Sequence, residues 1–411
     1  MLFYNISMWL MVFGMRVWAL FNGKVAAGVR GRQDIFKRIK DALVPGDRII
    51  WIHCASLGEF EQGRPVIEAI KANHPEYKIF LTFFSPSGYE IRKNYPGADY
   101  IFYLPLDTPA NAQTFVQLVK PEIAIFVKYE FWLNYLNRLK DSGCRTFIIS
   151  AIFRKDAVFF KWYGKIFRKA LRSFRTLFVQ DEQSKELLES IGIDDVIISG
   201  DTRFDRVADV KSKAAPVPLV EKFTAGHTSF IAGSTWPPDD ELLAALASRH
   251  PDVKFVIAPH EIGEERVQKL VALFPAGKAV RYTQIGDDAT IAQEVQVLII
   301  DTIGILSSVY AYADMAYIGG GFGVGIHNTL EAAVYGVPVA FGPNHGKFKE
   351  ALELISDGAA TSVTDIAQLD AWADSLLSDA FLLKSTGQKA GEYVSAHTGA
   401  TRMILHYIFD K

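Results

Sequence analysis

From Pro45 to Gly342 the chain repeats one pattern: a short run of β-branched and aromatic residues, a break, then a longer amphipathic stretch. The runs "RIIWIHC", "KIFLTFF", "EIAIFVK", "RTFIISA", "TLFVQ" and "VIIS" read as strands, each followed by a helix-like segment. Parallel strands cannot be joined by a tight turn, because the chain must return to the same end of the sheet, so this alternation signals a parallel sheet with helical crossovers. The pattern breaks at "ADVKSKAAPVPLVEKFTAGH", which is rich in Lys, Ala and Pro and has no apolar period. It restarts with "TSFIAGS", "VKFVIAP", "QVLII", "MAYIGGG" and "VPVAFG". A chain of 411 residues has room for two such units. The expected organisation is two doubly wound α/β domains, residues 23–208 and 229–395, joined by a linker over 209–228. A last helix over 396–411 is placed to pack back on the N-terminal domain.

Composition removes several function classes. The 44 Lys+Arg nearly balance 46 Asp+Glu, so the whole chain carries no electrostatic footprint for nucleic acid. Cys54 and Cys144 sit in no CxxC or Cys/His arrangement, which points to a reducing compartment and against a disulfide scaffold or zinc site. Neither GxGxxG nor GxxxxGK[ST] occurs, so a dinucleotide dehydrogenase and a P-loop kinase fall away.

The opening "MLFYNISMWLMVFGMRVWALF" departs from a soluble pattern, since only Arg16 is charged across Met1 to Phe21. The basic residues come afterwards, at Lys24, Arg30, Arg32, Lys37, Arg38 and Lys40, which is not the order of a cleaved signal. Residues 1–22 are expected to anchor the chain, with everything downstream on the cytoplasmic side. The apolar length leaves open a spanning helix, a helix lying in the interface and an amphipathic helix buried in a soluble domain.

In doubly wound sheets ligands bind beyond the carboxyl ends of strands, so function is sought in the loops there. Two such domains facing each other across a cleft would gather those loops around one molecule. "DMAYIGGGF" reads as a buried strand entering a glycine loop, and "HNTLEAAVYG" as a helix beginning near Asn328 and stopped by Gly336. A helix amino end attracts anions, Gly320 lets a phosphate approach the backbone, and Glu331 lies where a carboxylate can accept from a ribose diol. A tight turn with a first-turn acid is the alternative. "GSTW" supplies Ser234 and Thr235 as a helix cap or as ligand groups. "APHE" sets His260 where a base or phosphate can be met, or simply at the surface, and Gly304 in "DTIGIL" allows close approach.

In the first domain "CASLGEFEQGRPVIEAI" brings Gly58 and Glu59 to the loop or first turn after a strand. A carboxylate there either removes a proton from an incoming hydroxyl or balances the helix dipole. "FFSPSGYE" and "KYEFWLN" add Ser85, Ser87, Gly88, Glu130, Trp132 and Asn134 to the same rim. Between Phe153 and Arg175 one acid, Asp156, stands among aromatics and the cations Arg154, Lys155, Lys161, Lys165, Arg168, Lys169, Arg172 and Arg175. A basic, aromatic helix of this kind suits an anionic membrane face or a phosphorylated lipid. Single-stranded nucleic acid uses the same mixture, and a solvated face is the third reading.

The ordered set "GEF", "SPSG", "PLD", "YEFWLN", "GDTRFD", "GSTW", "APHE", "DTIGIL", "GGGF…HNTLEAA" and "GP" resembles the Kdo transferases of Gram-negative bacteria over nearly the full chain. These are GT-B enzymes that move 3-deoxy-D-manno-octulosonic acid (Kdo) from CMP-Kdo to the lipid A precursor in lipopolysaccharide synthesis. The resemblance implies a GT-B fold of two Rossmann-like domains and a place on the cytoplasmic side of the inner membrane. It implies CMP-Kdo, the lipid A precursor (lipid IVA) and an anionic membrane surface as partners, with no nucleic acid, cofactor or metal. It carries the family's general base over to Glu59, with inversion at the anomeric carbon. It carries donor binding to Ser234, Thr235, His260, Gly304, Gly320, Asn328 and Glu331, and contact with the phosphate or the Kdo carboxylate to Arg203.

The chain also departs from the family pattern. "VKYEFWLN" has Lys128 and Leu133 where the family often shows "ETELWPN", keeping Glu130 as its second acid. "LTFFSPSG" stands for "TTTPTG", and no arginine stands beside His260. Two other readings share the nucleotide loops: a sugar-nucleotide epimerase, which needs no lipid-facing element, and a non-catalytic nucleotide-binding protein, which does not need Glu59.

Overall fold

The computed structural model describes residues 1–285 and 291–410. Among the described residues, fourteen strands form two wholly parallel seven-stranded sheets. The first holds β1 (Arg48–Cys54), β2 (Tyr77–Phe83), β3 (Tyr100–Tyr103), β4 (Ile123–Val127), β5 (Arg145–Ala151), β6 (Thr176–Val179) and β7 (Val196–Ile198), in the order β3-β2-β1-β4-β5-β6-β7. Successive β1 residues are buried on opposite faces. Trp51 joins Phe80, Phe115, Phe126 and Tyr135 on one side, while Ile50 and Ile52 join Val66, Ile67, Ile70 and Leu81 on the other. Helices cover both faces, so these strands read as continuous apolar runs rather than as alternating ones.

The second sheet holds β8 (Ser229–Thr235), β9 (Lys254–Pro259), β10 (Ala279–Arg281), β11 (Val297–Ile299), β12 (Met315–Ile318), β13 (Val339–Phe341) and β14 (Ala360–Ser362), in the order β10-β11-β9-β8-β12-β13-β14. Each sheet reverses its winding once, between β1 and β4 in the first and between β8 and β12 in the second. Such reversal points leave a crevice at the carboxyl ends of the two strands, because the crossover helices depart to opposite faces.

The chain divides into a unit of Met1–Arg206 together with the residues from Thr398 onward, and a unit of Val207–His397. The C-terminal segment buries Ile404 and Ile408 in the first unit's core beside Ile149 and Phe178. The expected linker over 209–228 is not an unstructured stretch. Residues Thr202–Ser212 form a helix that carries the chain across the unit boundary, and helix Pro218–Thr224 buries Leu219, Val220 and Phe223. Seven residues are too few to display an apolar period, which is why the second helix does not show in the pattern.

Candidate functional site

At the reversal point of the first sheet, β1 ends at Cys54 and helix Leu57–Asn73 begins three residues later. Ser56 caps this helix, and Glu59, its third residue, completes a capping box: one carboxylate oxygen accepts from the Ser56 N–H at 2.9 Å. Glu59 thus occupies a helix first turn and is half-buried. Burial, then the charge of Glu130, raises its carboxyl above the ordinary value, while His53 and the amides of Ser56 and Ala55 pull the other way. A carboxylate made more basic at a strand end can accept a proton.

Glu130 comes from the loop after β4, on the other side of the reversal, and is only 9 % exposed. Its Oε2 faces His53 Nε2 at 3.1 Å and accepts from Trp132 Nε1–H. His53 is fully buried inside β1, and its Nδ1 lies 2.8 Å from the Thr82 hydroxyl. Sequence reading places Glu59, Glu130 and Trp132 at one rim but overlooks His53, whose only signal is a polar residue within the apolar run "RIIWIHC".

The other expected rim residues serve several ends. Gly58 lies exposed in the first turn beside Glu59, and the Ser85 hydroxyl pairs with that of Ser87 at 2.6 Å while capping helix Pro86–Arg92. Gly88 packs flat against Phe83 and the chain at Ser56. Trp132 stacks on Phe84 with ring centroids 5.1 Å apart. Asn134 is buried and turned to structural partners: its amide group donates to the Asp107 carbonyl and to Asn5 Oδ1. Arg203, expected on the donor side, belongs to the first unit, where its Nε donates to Asp201 Oδ2 at 2.9 Å.

At the reversal point of the second sheet, the loop after β8 meets the glycine loop after β12. Asp239 joins them, with one oxygen accepting from the Trp236 N–H and the Gly320 N–H, each at 2.8 Å, and the other from Tyr317 OH at 2.8 Å. The expectation that the glycines open room for a phosphate needs correction. A Cβ at Gly319 would collide with the Ser234 carbonyl, and one at Gly321 with Gly342, while Gly320 has φ +94° and presses on Gly325. These three are glycines because backbone runs against backbone. The helix beyond is shorter than the pattern suggests, four residues from Leu330 to Ala333, because Gly336 turns the chain at φ +77°. Asn328 accepts from the Leu330 N–H and donates to Glu331 Oε1 at 3.0 Å.

His260 is exposed and stacks on two rings, 4.8 Å from Trp236 and 4.5 Å from His327. Trp236 Nε1–H donates to His327 Nε2, and burial, then the neighbouring His260, lowers His327 to about 4, so it is a neutral acceptor at physiological pH. Trp236 and His327 are therefore site residues that the motifs "GSTW" and "GIHNT" contain but that sequence reading leaves aside. Ser234 takes a left-handed conformation at φ +55°, Thr235 is buried beside Asp240, and Gly304 stands in open space at φ +97°. A β-carbon costs energy at φ above zero, so the strain at Ser234 marks a loop held in one shape by its neighbours.

The N-terminal helix runs from Leu2 to Trp18 and buries none of its residues. No helix among the described residues is long and apolar enough to cross a membrane. Tyr4 OH donates to Asp107 Oδ2 at 2.6 Å, and Asn5 Oδ1 accepts from Asn134, so these two polar residues tie the helix to the unit's body while Phe3, Trp9, Leu10 and Phe13 are exposed. The basic stretch is not one helix: it forms a 3₁₀ turn at Val158–Phe160 and helix Lys165–Leu171. Gly164 and the carbonyls of Phe159 and Lys161, which Arg168 caps, break it. Arg154, Lys155, Lys165, Lys169 and Arg172 are exposed, Lys161 partly so, and Trp162 between them is 90 % exposed.

Solved structures share this architecture at low identity. UDP-GlcNAc 2-epimerase from Neisseria meningitidis bound to UDP-GlcNAc aligns over 89 % of this chain and 100 % of that one, with TM-score 0.62 and 14 % identity. MurG of Acinetobacter baumannii aligns over 89 % and 100 %, with TM-score 0.57 and 12 % identity. The molecule is thus of the GT-B-like class of two-sheet α/β proteins. Residues 29–206 match the family model described as 3-deoxy-D-manno-octulosonic-acid transferase (kdotransferase). The protein of that name from Bordetella pertussis is 27 % identical over 88 % of this chain and 87 % of its own length. Those from Chlamydophila psittaci and Aquifex aeolicus are 29 % and 26 % identical over 77 % and 84 % of this chain. The chain is similar over most of its length to Kdo transferases, its residues 29–206 match that family's model, and it is a glycosyltransferase.

Proposed function

We propose that the protein transfers Kdo from CMP-Kdo to the lipid A precursor at the cytoplasmic face of the inner membrane, with Glu59 as general base. The observation that carries the proposal is a carboxyl of raised basicity, fixed by a capping box at the reversal point of the first sheet. Glu59 takes the proton of an acceptor hydroxyl as that oxygen attacks the anomeric carbon, and CMP departs with inversion. Gly58, Ser85, Ser87, Glu130 and Trp132 line the acceptor side of this reading.

The second unit holds the donor through Ser234, Thr235, His260, Gly304, Asn328 and Glu331. The ring stack of Trp236, His260 and His327 supports this, since flat rings suit a nucleobase. The test is incubation with CMP-Kdo and tetraacylated lipid A precursor. Product gaining one or more Kdo masses is expected, at a rate that EDTA leaves unchanged because the proposal assigns no step to a metal. Turnover of the nucleotide sugar without an acceptor would favour the epimerase reading.

The membrane role assigned to the N-terminus is an interfacial one. The tethers from Tyr4 and Asn5 suit a helix lying in the membrane plane, with its exposed apolar side in the lipid and the cations from Arg154 to Arg172 meeting anionic headgroups. Flotation with anionic vesicles is expected to carry the protein. The double substitution Trp9→Asp and Phe13→Asp is expected to weaken binding about 100-fold, since each large apolar side chain contributes roughly 1.5–3 kcal/mol on burial.

A further inference from the structure

Helix Leu57–Asn73 carries Gln62 three residues after Glu59, so the two side chains share one helix face. Gln62 is only 1 % exposed and grips the segment after β7 at two points. Its side-chain amide nitrogen donates to both Asp201 oxygens, at 3.0 and 3.1 Å, while its main-chain oxygen accepts from the Thr202 hydroxyl at 2.6 Å. A carbonyl can only accept, so the Thr202 proton is committed there and the Ser150 hydroxyl, 2.9 Å away, donates to Thr202 Oγ1. Ser150 Oγ accepts the Thr202 N–H in return. Ser150 stands at φ +50° where the pairing of β5 with β6 shifts register, so this contact is made by a strained residue that its neighbours hold in place. Asp201, Thr202 and Ser150 are all buried.

The same two Asp201 oxygens hold Arg203. Oδ1 accepts from its main-chain N–H and Oδ2 from its Nε–H, each at 2.9 Å, and Nη2 also lies 2.9 Å from Oδ2. The guanidinium is thus fixed along one edge while the side chain stays partly exposed. A planar fork with its orientation fixed is suited to a phosphate or a carboxylate, and an arginine is charged at any working pH. The clamp and the base share one rim: burial, then the charges of Arg154, Asp181, Asp201 and Glu59, all act on the hydroxyl of Tyr129 after β4.

We propose that Gln62 is a positioning residue of the transfer reaction: through Asp201 it sets the Arg203 guanidinium at a fixed place relative to Glu59, where it receives a phosphate or carboxylate of the substrates. The inference rests on the reading of the chain as a Kdo transferase with Glu59 as base. Both substrates of that reaction are anionic, and a base works only on an acceptor hydroxyl held in line with the anomeric carbon. Gln62 joins the two requirements, because one residue of the base's own helix also locates the cation.

The experiment is a double-mutant cycle on kcat/KM with CMP-Kdo and lipid A precursor, using Gln62→Met, Arg203→Met and the pair, with melting temperatures recorded alongside. Methionine keeps the length of glutamine and loses the N–H. Arg203→Met is expected to lower kcat/KM about 100-fold and Gln62→Met about 10-fold, the range of hydrogen bonds to charged groups. In the Arg203→Met background Gln62→Met is expected to cost less than about twofold, because residues acting through one another are not additive. The substrate whose KM rises in Arg203→Met, donor or acceptor, is the one whose anion the guanidinium meets.

A folded Gln62→Met that keeps the parent rate, or that loses the same factor in both backgrounds, overturns the inference, as does an Arg203→Met that keeps the rate. Retention of the rate in Glu59→Gln, or no transfer by the parent, overturns the underlying reading instead. Should Gln62→Met fail to fold, Asp201→Asn, which turns an –NH₂ on the guanidinium, decides by the same comparison.

Discussion

Glu59→Gln is expected to lower kcat by about 10² or more while the protein stays folded and its affinity for CMP holds, because glutamine cannot take a proton from the acceptor hydroxyl. The substitution is clean for a structural reason. A capping box accepts either Glu or Gln at its third position, so the carbonyl oxygen of the substituted amide can still receive the Ser56 N–H that Glu59 accepts at 2.9 Å. Melting temperature and CMP titration check that nothing else has changed. In the unsubstituted enzyme the base works only when deprotonated, so kcat/KM rises with pH through the Glu59 pKa. Since burial and Glu130 raise that pKa, the limb lies above the ordinary carboxylate range. A purely nucleotide-binding protein would show none of this.

The two sheets were legible because their strands are buried on both faces. "RIIWIHC" and "RTFIISA" coincide with β1 and β5 to the residue, since a continuous apolar run flanked by polar segments has few other ways to be covered. Strands β3, β10 and β14 are edge strands and only partly buried, so packing does not demand of them the continuous apolar run by which the central strands show. The site was legible where a motif residue is itself at a strand end, as with Glu59, and not where its role depends on a partner distant in sequence. His53 acquires its place from Thr82 and Glu130, 29 and 77 positions away. The glycine loop misled for a related reason. Gly321 is required by Gly342, and nothing local distinguishes a glycine that admits a ligand from one that admits another strand's loop.

Asp239→Ala is expected to have the largest effect on stability in the second unit. The side chain is 1 % exposed and satisfies three donors from different elements: Trp236 N–H, Gly320 N–H and Tyr317 OH. Alanine leaves all three without a partner in a site closed to water. At roughly 1–3 kcal/mol for each unsatisfied group, and with some relaxation, the loss is about 3–5 kcal/mol. Asp239→Asn costs less, since the amide oxygen still accepts from both backbone N–H groups while the –NH₂ forces the Tyr317 hydroxyl to turn from donor to acceptor. Tyr317→Phe costs about 1 kcal/mol, because the carboxylate retains its two backbone partners. Calorimetry or denaturant melts give the order Ala, then Asn, then Tyr317→Phe.

The same substitution separates stability from binding. Asp239 is the link between the loop after β8, which carries Ser234 and Thr235, and the glycine loop after β12, which leads to Asn328 and Glu331. Without it the two loops lose their common anchor, and CMP affinity is expected to fall at temperatures well below the new melting point. Tyr317→Phe leaves both backbone bonds to the loops in place, so CMP affinity there is expected to hold. An Asp239→Ala variant that melts as the parent does, or that binds CMP as tightly, would show that the loops are held together by their glycine contacts alone.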